Sequence, residues 1–286
     1  MTAAHRSEPA LRATLAYLQP CAMHPVSYAF QPPPGTPWEN CGYDRVSMPI
    51  ADARRAPAPP AVDREGFELR DAPTAVTDFL DEAQVRDVYY REASELALAV
   101  TGATRAFVFD HLVRRRESDR AALTFGRSAG GRAAANGRIH NDYTEDSGRH
   151  RLALVLGDRD AAAVRRFGIV NIWRSINGPV RDTPLAVCDA RTVTAADLVA
   201  GEVRYPRRTG EIYLALHSPL HRWSYYPAMD RHEALVFKQY DSRRGGVARF
   251  TPHAAFDLPD VPPDAPLRES IELRCLVVHD DDGEAG

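Results

Sequence analysis

The chain has almost no lysine. Lys238 is the only lysine among 36 basic residues, and 39 acidic residues bring the formal net charge to −3. A protein that binds nucleic acid or an anionic membrane surface needs an excess of positive charge, and this sequence lacks one. We therefore expect neither partner.

Cysteine and long apolar runs are also scarce. The four cysteines, Cys21, Cys41, Cys188 and Cys275, include no Cys-x-x-Cys pair, which argues against a cysteine-based zinc site. No run reaches the length of a membrane span, and the first residues lack the apolar segment of a signal peptide. The expectation is a cytoplasmic protein without disulfides.

The composition is that of a globular protein with a sizeable core. Of the 286 residues, 44% are hydrophobic and 26% are charged. We predict one catalytic domain over 1–286, in which 1–103 form an N-terminal extension with helices that packs on a core at 104–279. A homodimer is compatible with this composition. The glycine-rich stretch 126–132 neither follows a buried strand nor opens a clear helix, so it supports no nucleotide-binding fingerprint.

Strand-like segments dominate the second half of the chain. Short apolar runs separated by Gly, Pro and Asp predict a sandwich or a cupin-like jelly roll, because a parallel sheet would need a helix after each strand and there is no room for one after Gly210. The predicted strands are 106–113, 138–142, 168–176, 185–188, 211–216, 222–226, 234–240, 247–251 and 270–278. The predicted helices are 10–18, 82–100 with a glycine cap at Gly102, 147–156 and 158–166.

The segment His140-Asn141-Asp142 carries the main functional signal. Side chains two residues apart lie on the same face of a strand, so His140 and Asp142 can bind one metal ion together. Two histidines and one carboxylate, with open positions opposite them, form the site of non-haem Fe(II) oxygenases. The sequence therefore predicts an iron centre that needs one more histidine.

Two histidines are candidates for this third ligand. His253 is followed, after one loop, by Arg268 at the start of the next predicted strand, and adjacent antiparallel strands would bring the two close together. His221 precedes another strand-like run and is an alternative. We favour His253.

Arg268 and Ser270 share one face of the last predicted strand. A guanidinium binds a carboxylate through two parallel hydrogen bonds, and the hydroxyl can add a third, so the pair suits a dicarboxylate co-substrate such as 2-oxoglutarate. Arg274 lies on the same face and is an alternative carboxylate-binding residue.

Five further residues are candidates for the substrate pocket. Asn171 and Trp173 alternate on one predicted strand, Tyr143 follows Asp142, and Trp223 and Tyr225 alternate on another strand. Aromatic residues in β-rich proteins are usually part of the core, so each also has a purely structural interpretation.

Together these segments resemble one branch of the Fe(II)/2-oxoglutarate oxygenases. That branch includes the oxygenase component of cephalosporin 7α-methoxylation and fungal enzymes that form meroterpenoid endoperoxides. The similarity covers about 107–278. The matching stretches are His140-Asn-Asp-Tyr-Thr144, Asn171-Ile-Trp-Arg174 with Gly178-Pro-Val180, Pro184–Asp189, His221-Arg-Trp223, Glu233–Lys238, Tyr240-Asp-Ser242, Pro252–Phe256 and Arg268–Arg274.

The resemblance implies a double-stranded β-helix, a distorted jelly roll, with iron on His140, Asp142 and His253 and with Arg268 and Ser270 on 2-oxoglutarate. The implied partners are 2-oxoglutarate, O₂ and a small-molecule substrate from specialised metabolism. The implied reaction is hydroxylation, desaturation or a related oxidation, coupled to decarboxylation of 2-oxoglutarate to succinate. Two alternatives are a cupin-like metal enzyme that does not use 2-oxoglutarate and a non-catalytic β-sandwich that binds small molecules.

Overall fold

The computed structural model describes residues 11–119, 122–126 and 133–280. In these ranges strands far outnumber helices. The strands are β1 Leu11–Leu18, β2 Val26–Tyr28, β3 Tyr43–Asp52, β4 Phe67–Asp71, β5 Arg105–Arg115, β6 Ala133–Ala134, β7 His140–Asn141, β8 Arg166–Ser175, β9 Leu185–Cys188, β10 Leu198–Arg204, β11 Thr209–Ala215, β12 Trp223–Tyr225, β13 Glu233–Asp241, β14 His253–Ala255 and β15 Glu269–His279.

The strands form two curled sheets that make a distorted jelly roll, as predicted. The larger sheet has the order β1-β3-β12-β9-β14-β7-β11-β10-β2, and the smaller one has the order β4-β13-β8-β15-β5-β6. Strands from the first hundred residues pair within both sheets, so this part of the chain belongs to the barrel as well as packing on it. The larger sheet places β7 beside β14, which are distant in sequence.

Strand β8 shows how the smaller sheet is covered on both faces. All ten of its residues are buried. Val170 and Ile172 pack with the helical segment that begins at Glu82, whereas Asn171 and Trp173 alternate with them and point to the interior of the barrel. Each large apolar side chain buried in this way contributes about 1.5–3 kcal/mol to folding. Because successive side chains of a strand point to opposite faces, only every second side chain of β8 can reach a site between the sheets.

The prediction of a long helix at 82–100 is confirmed. The helix comprises α1 Glu82–Gln84, a π-helical turn Val85–Tyr89 and α2 Tyr90–Thr101. The carboxylate of Asp81 accepts hydrogen bonds from the first free backbone N–H groups, and Gly102 ends the helix at φ +67°. Two shorter helices follow, α3 Glu145–Leu156 and α4 Asp158–Ala161; α4 ends earlier than predicted because β8 begins at Arg166.

Two secondary-structure predictions were wrong. Residues 11–18 form strand β1, paired antiparallel with β3, and not a helix. Leu15 to Leu18 are all buried, and a short continuous apolar run cannot be assigned to helix or strand from periodicity alone. The strand predicted at 247–251 is irregular, and the strand in this region is β14, which begins at His253.

The expectation of a protein without disulfides was also wrong. Cys21 and Cys41 form a disulfide, with 6.2 Å between their Cα atoms. The pairing of β1 with β3 places Leu18 opposite Tyr43, so the chain just beyond both strand ends is brought together. Spacing along the sequence did not reveal this proximity. Cys188 and Cys275 are buried and free.

No helix in the described part of the chain is long and apolar enough to cross a membrane.

Candidate metal centre

Three predicted ligands meet between the two sheets. His140 on β7 is directly opposite His253 on β14, and their ring centroids are 4.3 Å apart. Asp142 follows β7 immediately. One potential ligand atom from each of the three residues lies within 4.8 Å of the other two, and Asp142 Oδ1 is 3.4 Å from His140 Nε2. Such distances suit neighbouring ligands of a single ion.

Hydrogen bonds fix which ring nitrogen each histidine presents. The Nδ1–H of His140 donates to the carbonyl of Arg138 at 2.7 Å, and the Nδ1–H of His253 donates to the carbonyl of Thr251 at 3.2 Å. A carbonyl only accepts, so Nδ1 carries a proton in each ring, and Nε2 is the nitrogen that each ring can offer to a metal. Burial, helped by the neighbouring His140, lowers the pKa of His253 to about 3. The His253 imidazole is therefore neutral near pH 7, as a metal ligand must be.

Asp142 is held in its charged form, and one of its two carboxylate oxygens already accepts hydrogen bonds. Its Oδ2 accepts a hydrogen bond from Asn171 Nδ2 at 2.8 Å and another from Arg274 Nε at 2.8 Å. Burial alone would raise the carboxyl pKa, but Arg274 and then His140 hold it well below its usual range. The second oxygen, Oδ1, is left to face His140. This is the arrangement expected of a metal-binding carboxylate oriented by its surroundings.

Asn141, between the two ligands, joins the segments that carry them. Its side-chain amide donates to the carbonyls of Tyr143 and Gln239 at 2.7 and 2.8 Å, and its Oδ1 accepts from the backbone N–H of Thr251 at 3.0 Å. The side chain is fully buried. Asn141 therefore fixes the His140–Asp142 segment against the segment that leads into His253. The sequence analysis gave it no role, since an asparagine between two ligands carries no signal of its own.

The donor set fits Fe(II). Two imidazole nitrogens and one carboxylate oxygen come from one side, which is the facial arrangement typical of non-haem iron oxygenases. Among the described residues, these are the only three histidine, cysteine, aspartate or glutamate side chains that converge closely enough to hold a metal.

His221 lies elsewhere. It is buried against Tyr17, whose hydroxyl is 3.1 Å from His221 Nδ1, and its Nε2 is 3.5 Å from a carboxylate oxygen of Asp197. These contacts give His221 a structural environment away from the cluster of three ligands.

The two candidate carboxylate-binding arginines have different surroundings. Arg274 contacts three carboxylates, those of Asp142, Asp110 and Glu272, at 2.8, 2.9 and 3.3 Å. Arg268 is 2% exposed and its Nη1 donates to the carbonyl of Thr183 at 3.1 Å, but its Nε has no hydrogen-bond partner in the described part of the chain. Burial, and then other nearby arginines, lower the pKa of Arg268 to about 10.

The predicted pocket residues fall into two groups. Asn171 bonds Asp142, and Trp173 lies inside the barrel with its ring centroid 5.8 Å from the guanidinium carbon of Arg268. Trp223 and Tyr225 lie on the outer face of the larger sheet, because the strand pleat turns Ser224 inward between them; Trp223 donates to Tyr17 there. The structure does not bring these two residues to the metal centre.

Tyr143 lies in an apolar cluster beside the centre. It packs with Leu152, Phe167 and Leu276, and burial raises its pKa to about 12. It therefore stays protonated at neutral pH and has the surroundings of a core residue.

A cavity of about 330 Å³ opens beside the ligands. His140, Asp142 and Arg274 form part of its wall. The other described residues that line it are Ala29, Leu112, Arg114, Phe125, Gly126, Ala133, Asn136, Val203, Tyr205 and Ile212. Sequence reasoning missed Arg114 and Asn136, since nothing in their local sequence separates them from surface residues.

Removing the amide that orients Asp142 should weaken metal binding. In Asn171→Ala, Asp142 Oδ2 keeps Arg274 but loses its second hydrogen bond, so we expect Fe(II) affinity to fall by roughly 10–100-fold. Titration of the metal-free protein with Fe(II) under anaerobic conditions measures this change. Asn177→Ala is a matched control, because Asn177 bonds Leu267 and Glu269 at the surface. Equal affinity in Asn171→Ala and the wild-type protein would contradict the orienting role.

Comparisons with known proteins agree with this geometry. A family model described as "Oxidoreductase/YMDC permease-like domain" matches residues 15–278. The chain is 31% identical to the hydroxylase/desaturase efuI of Hormonema carpetanum, over 98% of this chain and 99% of that protein. It is 32% identical to the Fe(II)/2-oxoglutarate-dependent dioxygenase nvfI of Aspergillus novofumigatus, over 69% of this chain and 68% of that protein.

A solved structure extends the agreement to the whole fold. The iron and α-ketoglutarate-dependent endoperoxidase NvfI superposes with a TM-score of 0.82 at 27% identity, over 96% of this chain and 99% of its own. A shared fold and, in this chain, a converging His-Asp-His set are thus present together. The chain belongs to the Fe(II)/2-oxoglutarate-dependent oxygenases, in the branch that includes this fungal endoperoxidase.

Proposed function

We propose that His140, Asp142 and His253 hold the catalytic Fe(II), and that Arg268 with Ser270 binds the far carboxylate of 2-oxoglutarate. The observation that carries this proposal is the convergence of two Nε2 atoms and one carboxylate oxygen, each with its other polar atom already bonded. Orientation of the ligand atoms by carbonyl, amide and guanidinium partners outside the cluster is what a metal-binding site requires.

The hydrogen-bond and ion-pair partners of Arg268 and Arg274 support Arg268 as the carboxylate-binding residue. Arg274 is already surrounded by carboxylates, so it offers little to another anion. Arg268 is buried with an unpaired Nε, and an unpaired buried donor costs free energy that an incoming carboxylate would recover. Ser270 lies on the same strand face, also buried. Arg274 has a different role, which is to orient Asp142.

We also propose that the substrate is a small molecule of specialised metabolism. Relatives named hydroxylase/desaturase and dioxygenase support this class. The bound iron would supply O₂ activation coupled to decarboxylation of 2-oxoglutarate, with hydroxylation, desaturation or a related C–H oxidation as the outcome. The chain's own residues would orient the two substrates and exclude water from the space between the sheets.

The remaining proposals concern the whole chain. We propose that residues 1–286 act as one catalytic unit, since strands on both sides of residue 103 pair within the same two sheets. We propose a cytoplasmic location, where the Cys21–Cys41 disulfide would be unusual. We also propose that the protein has no nucleic-acid or membrane partner, in accord with the net charge of −3. A homodimer is compatible with this function, and sedimentation would measure it.

The defining experiment is an anaerobic titration with Fe(II) and 2-oxoglutarate. The wild-type protein should bind about one Fe(II) and then develop the weak metal-to-ligand charge-transfer absorbance of the ternary complex, and admission of O₂ should produce succinate. His140→Ala should show neither signal. Iron binding with no response to 2-oxoglutarate would favour the cupin-like alternative, and no iron binding would favour a non-catalytic binding protein.

A further inference from the structure

Arg114 points into the barrel beside the proposed iron site. It lies on β5 as the direct partner of Ser270 on β15, and residues paired across a sheet point to the same face. Leu112, two residues earlier, is likewise paired with Glu272. Arg114 thus lies on the interior face, and it lines the same cavity as His140 and Asp142.

The charge of Arg114 is not matched by a direct ion pair within the described residues. Its Nη1 donates to two backbone carbonyls, those of Ala134 at 2.8 Å and Gly126 at 3.4 Å. Burial lowers the pKa of Arg114, and the more distant Glu272 does not offset that effect. Arg274, in contrast, has three carboxylate neighbours. Among the described residues that line the cavity, Arg114 is therefore the cation with hydrogen-bonding capacity left for a ligand.

The rest of the cavity wall is largely apolar. Among the uncharged wall residues that the structure describes, two side chains are polar, those of Asn136 and Tyr205. The apolar described residues are Ala29, Leu112, Phe125, Ala133, Val203 and Ile212. A wall of this kind suits a ligand with a hydrophobic body, and one unpaired arginine suits a single anionic group on that body.

We propose that Arg114 binds a carboxylate of the ligand that occupies this cavity. The proposal rests on the iron and 2-oxoglutarate function proposed above. This carboxylate could belong to the substrate that the enzyme oxidises or to 2-oxoglutarate. The apolar wall favours the substrate, because 2-oxoglutarate is charged at both ends and Arg268 with Ser270 can bind its far end. The substrate class is accordingly a small hydrophobic carboxylic acid.

The test compares a carboxylate with its uncharged analogue in the anaerobic complex of protein, Fe(II) and 2-oxoglutarate. Octanoate and octanamide serve as probes, with binding measured by calorimetry while the charge-transfer absorbance confirms that iron and 2-oxoglutarate stay bound. We expect the wild-type protein to bind octanoate at least about tenfold more tightly than octanamide. Only octanoate can form a charge-assisted hydrogen-bonded pair with Arg114. Arg114→Gln should lose this preference, and Arg114→Lys should keep part of it.

Arg115→Gln is the matched control. Arg115 is the next residue of β5, and its side chain is half exposed in an ion pair with Glu269. The Arg115→Gln variant should keep the preference for octanoate over octanamide that the wild-type protein shows. Thermal unfolding and Fe(II) content show whether each variant folds, and Arg114→Lys carries the test should Arg114→Gln not fold.

Two measured quantities separate the two sources of the carboxylate. Loss of the octanoate preference with an unchanged 2-oxoglutarate titration assigns the carboxylate to the substrate. A weakened 2-oxoglutarate titration in Arg114→Gln, with no octanoate preference in any variant, assigns it to the co-substrate. If Arg114→Gln alters neither quantity, the proposal is overturned. A wild-type protein without the charge-transfer absorbance would refute the proposed function itself, and octanoate binding to the Fe(II) protein would then test Arg114 separately.

Discussion

His253→Ala should lower the affinity for Fe(II) by more than about 100-fold. Altering a residue that only hydrogen-bonds a metal ligand already lowers metal affinity by ~10–100-fold, and this variant removes a ligand itself. His140→Ala and Asp142→Asn should behave alike. Anaerobic Fe(II) titration of purified protein, followed by iron quantification after gel filtration, measures the loss. Activity should disappear in all three variants.

Two histidines serve as controls for this result. His221→Ala removes a buried ring that contacts Tyr17 and Asp197, so it should lower thermal stability and leave iron affinity unchanged. His232→Ala changes an exposed residue and should alter neither property. His253→Ala is the most informative ligand variant, because it leaves the ion pair of Asp142 with Arg274 in place, whereas Asp142→Asn breaks a buried ion pair. Iron loss in His221→Ala with iron retained in His253→Ala would transfer the ligand role to His221.

Arg268→Ala should weaken 2-oxoglutarate binding by roughly 2–5 kcal/mol, the cost of removing one partner from a buried charge pair. The co-substrate's carboxylate must lose water on entry, and the guanidinium offsets that cost with two hydrogen bonds in one plane. Lysine offers only a point charge, so Arg268→Lys should also bind 2-oxoglutarate more weakly. Ser270→Ala should cost about 1.5–3 kcal/mol, as for one hydrogen bond to a charged group.

The measurement is the charge-transfer titration with 2-oxoglutarate, supported by succinate formation at increasing co-substrate concentration. Iron affinity should be unchanged in Arg268→Ala, since Arg268 does not touch a metal ligand. Arg274→Ala should show the opposite pattern, with weaker iron binding, because Asp142 Oδ2 loses a partner. A 2-oxoglutarate titration that is normal in Arg268→Ala and abolished in Arg274→Ala would show that Arg274 is the carboxylate-binding residue.

The sequence predicted the site better than it predicted the surroundings of the site. The two-residue spacing of His140 and Asp142 is a local property of a strand, so it could be read directly. The contacts that orient them could not, because Asn171, Arg274 and Thr251 reach the centre from three other parts of the chain. Their roles depend on strand register, which no local pattern specifies.

The same reasoning explains the errors in the fold. Alternation correctly placed Asn171 and Trp173 on one face, but it could not say which face of a strand turns inward, and Trp223 turned out to face away from the iron site. The run 11–18 is apolar enough for either a helix or a strand, and only its pairing with β3 decides. The same pairing brings Cys21 and Cys41 together, a proximity that the scattered cysteines did not reveal in the sequence.

The opposition of His140 and His253 across β7 and β14 also bears on the order of events during biosynthesis. These strands are neighbours in space although β8 to β13 lie between them in the chain, so residues 142–252 must loop back before the two rings can meet. Contacts of such long sequence separation carry a loop-closure cost and slow folding. A nascent chain that does not yet include His253 therefore lacks the complete ligand set. Iron binding would stabilise by mass action the molecules in which these strands have paired.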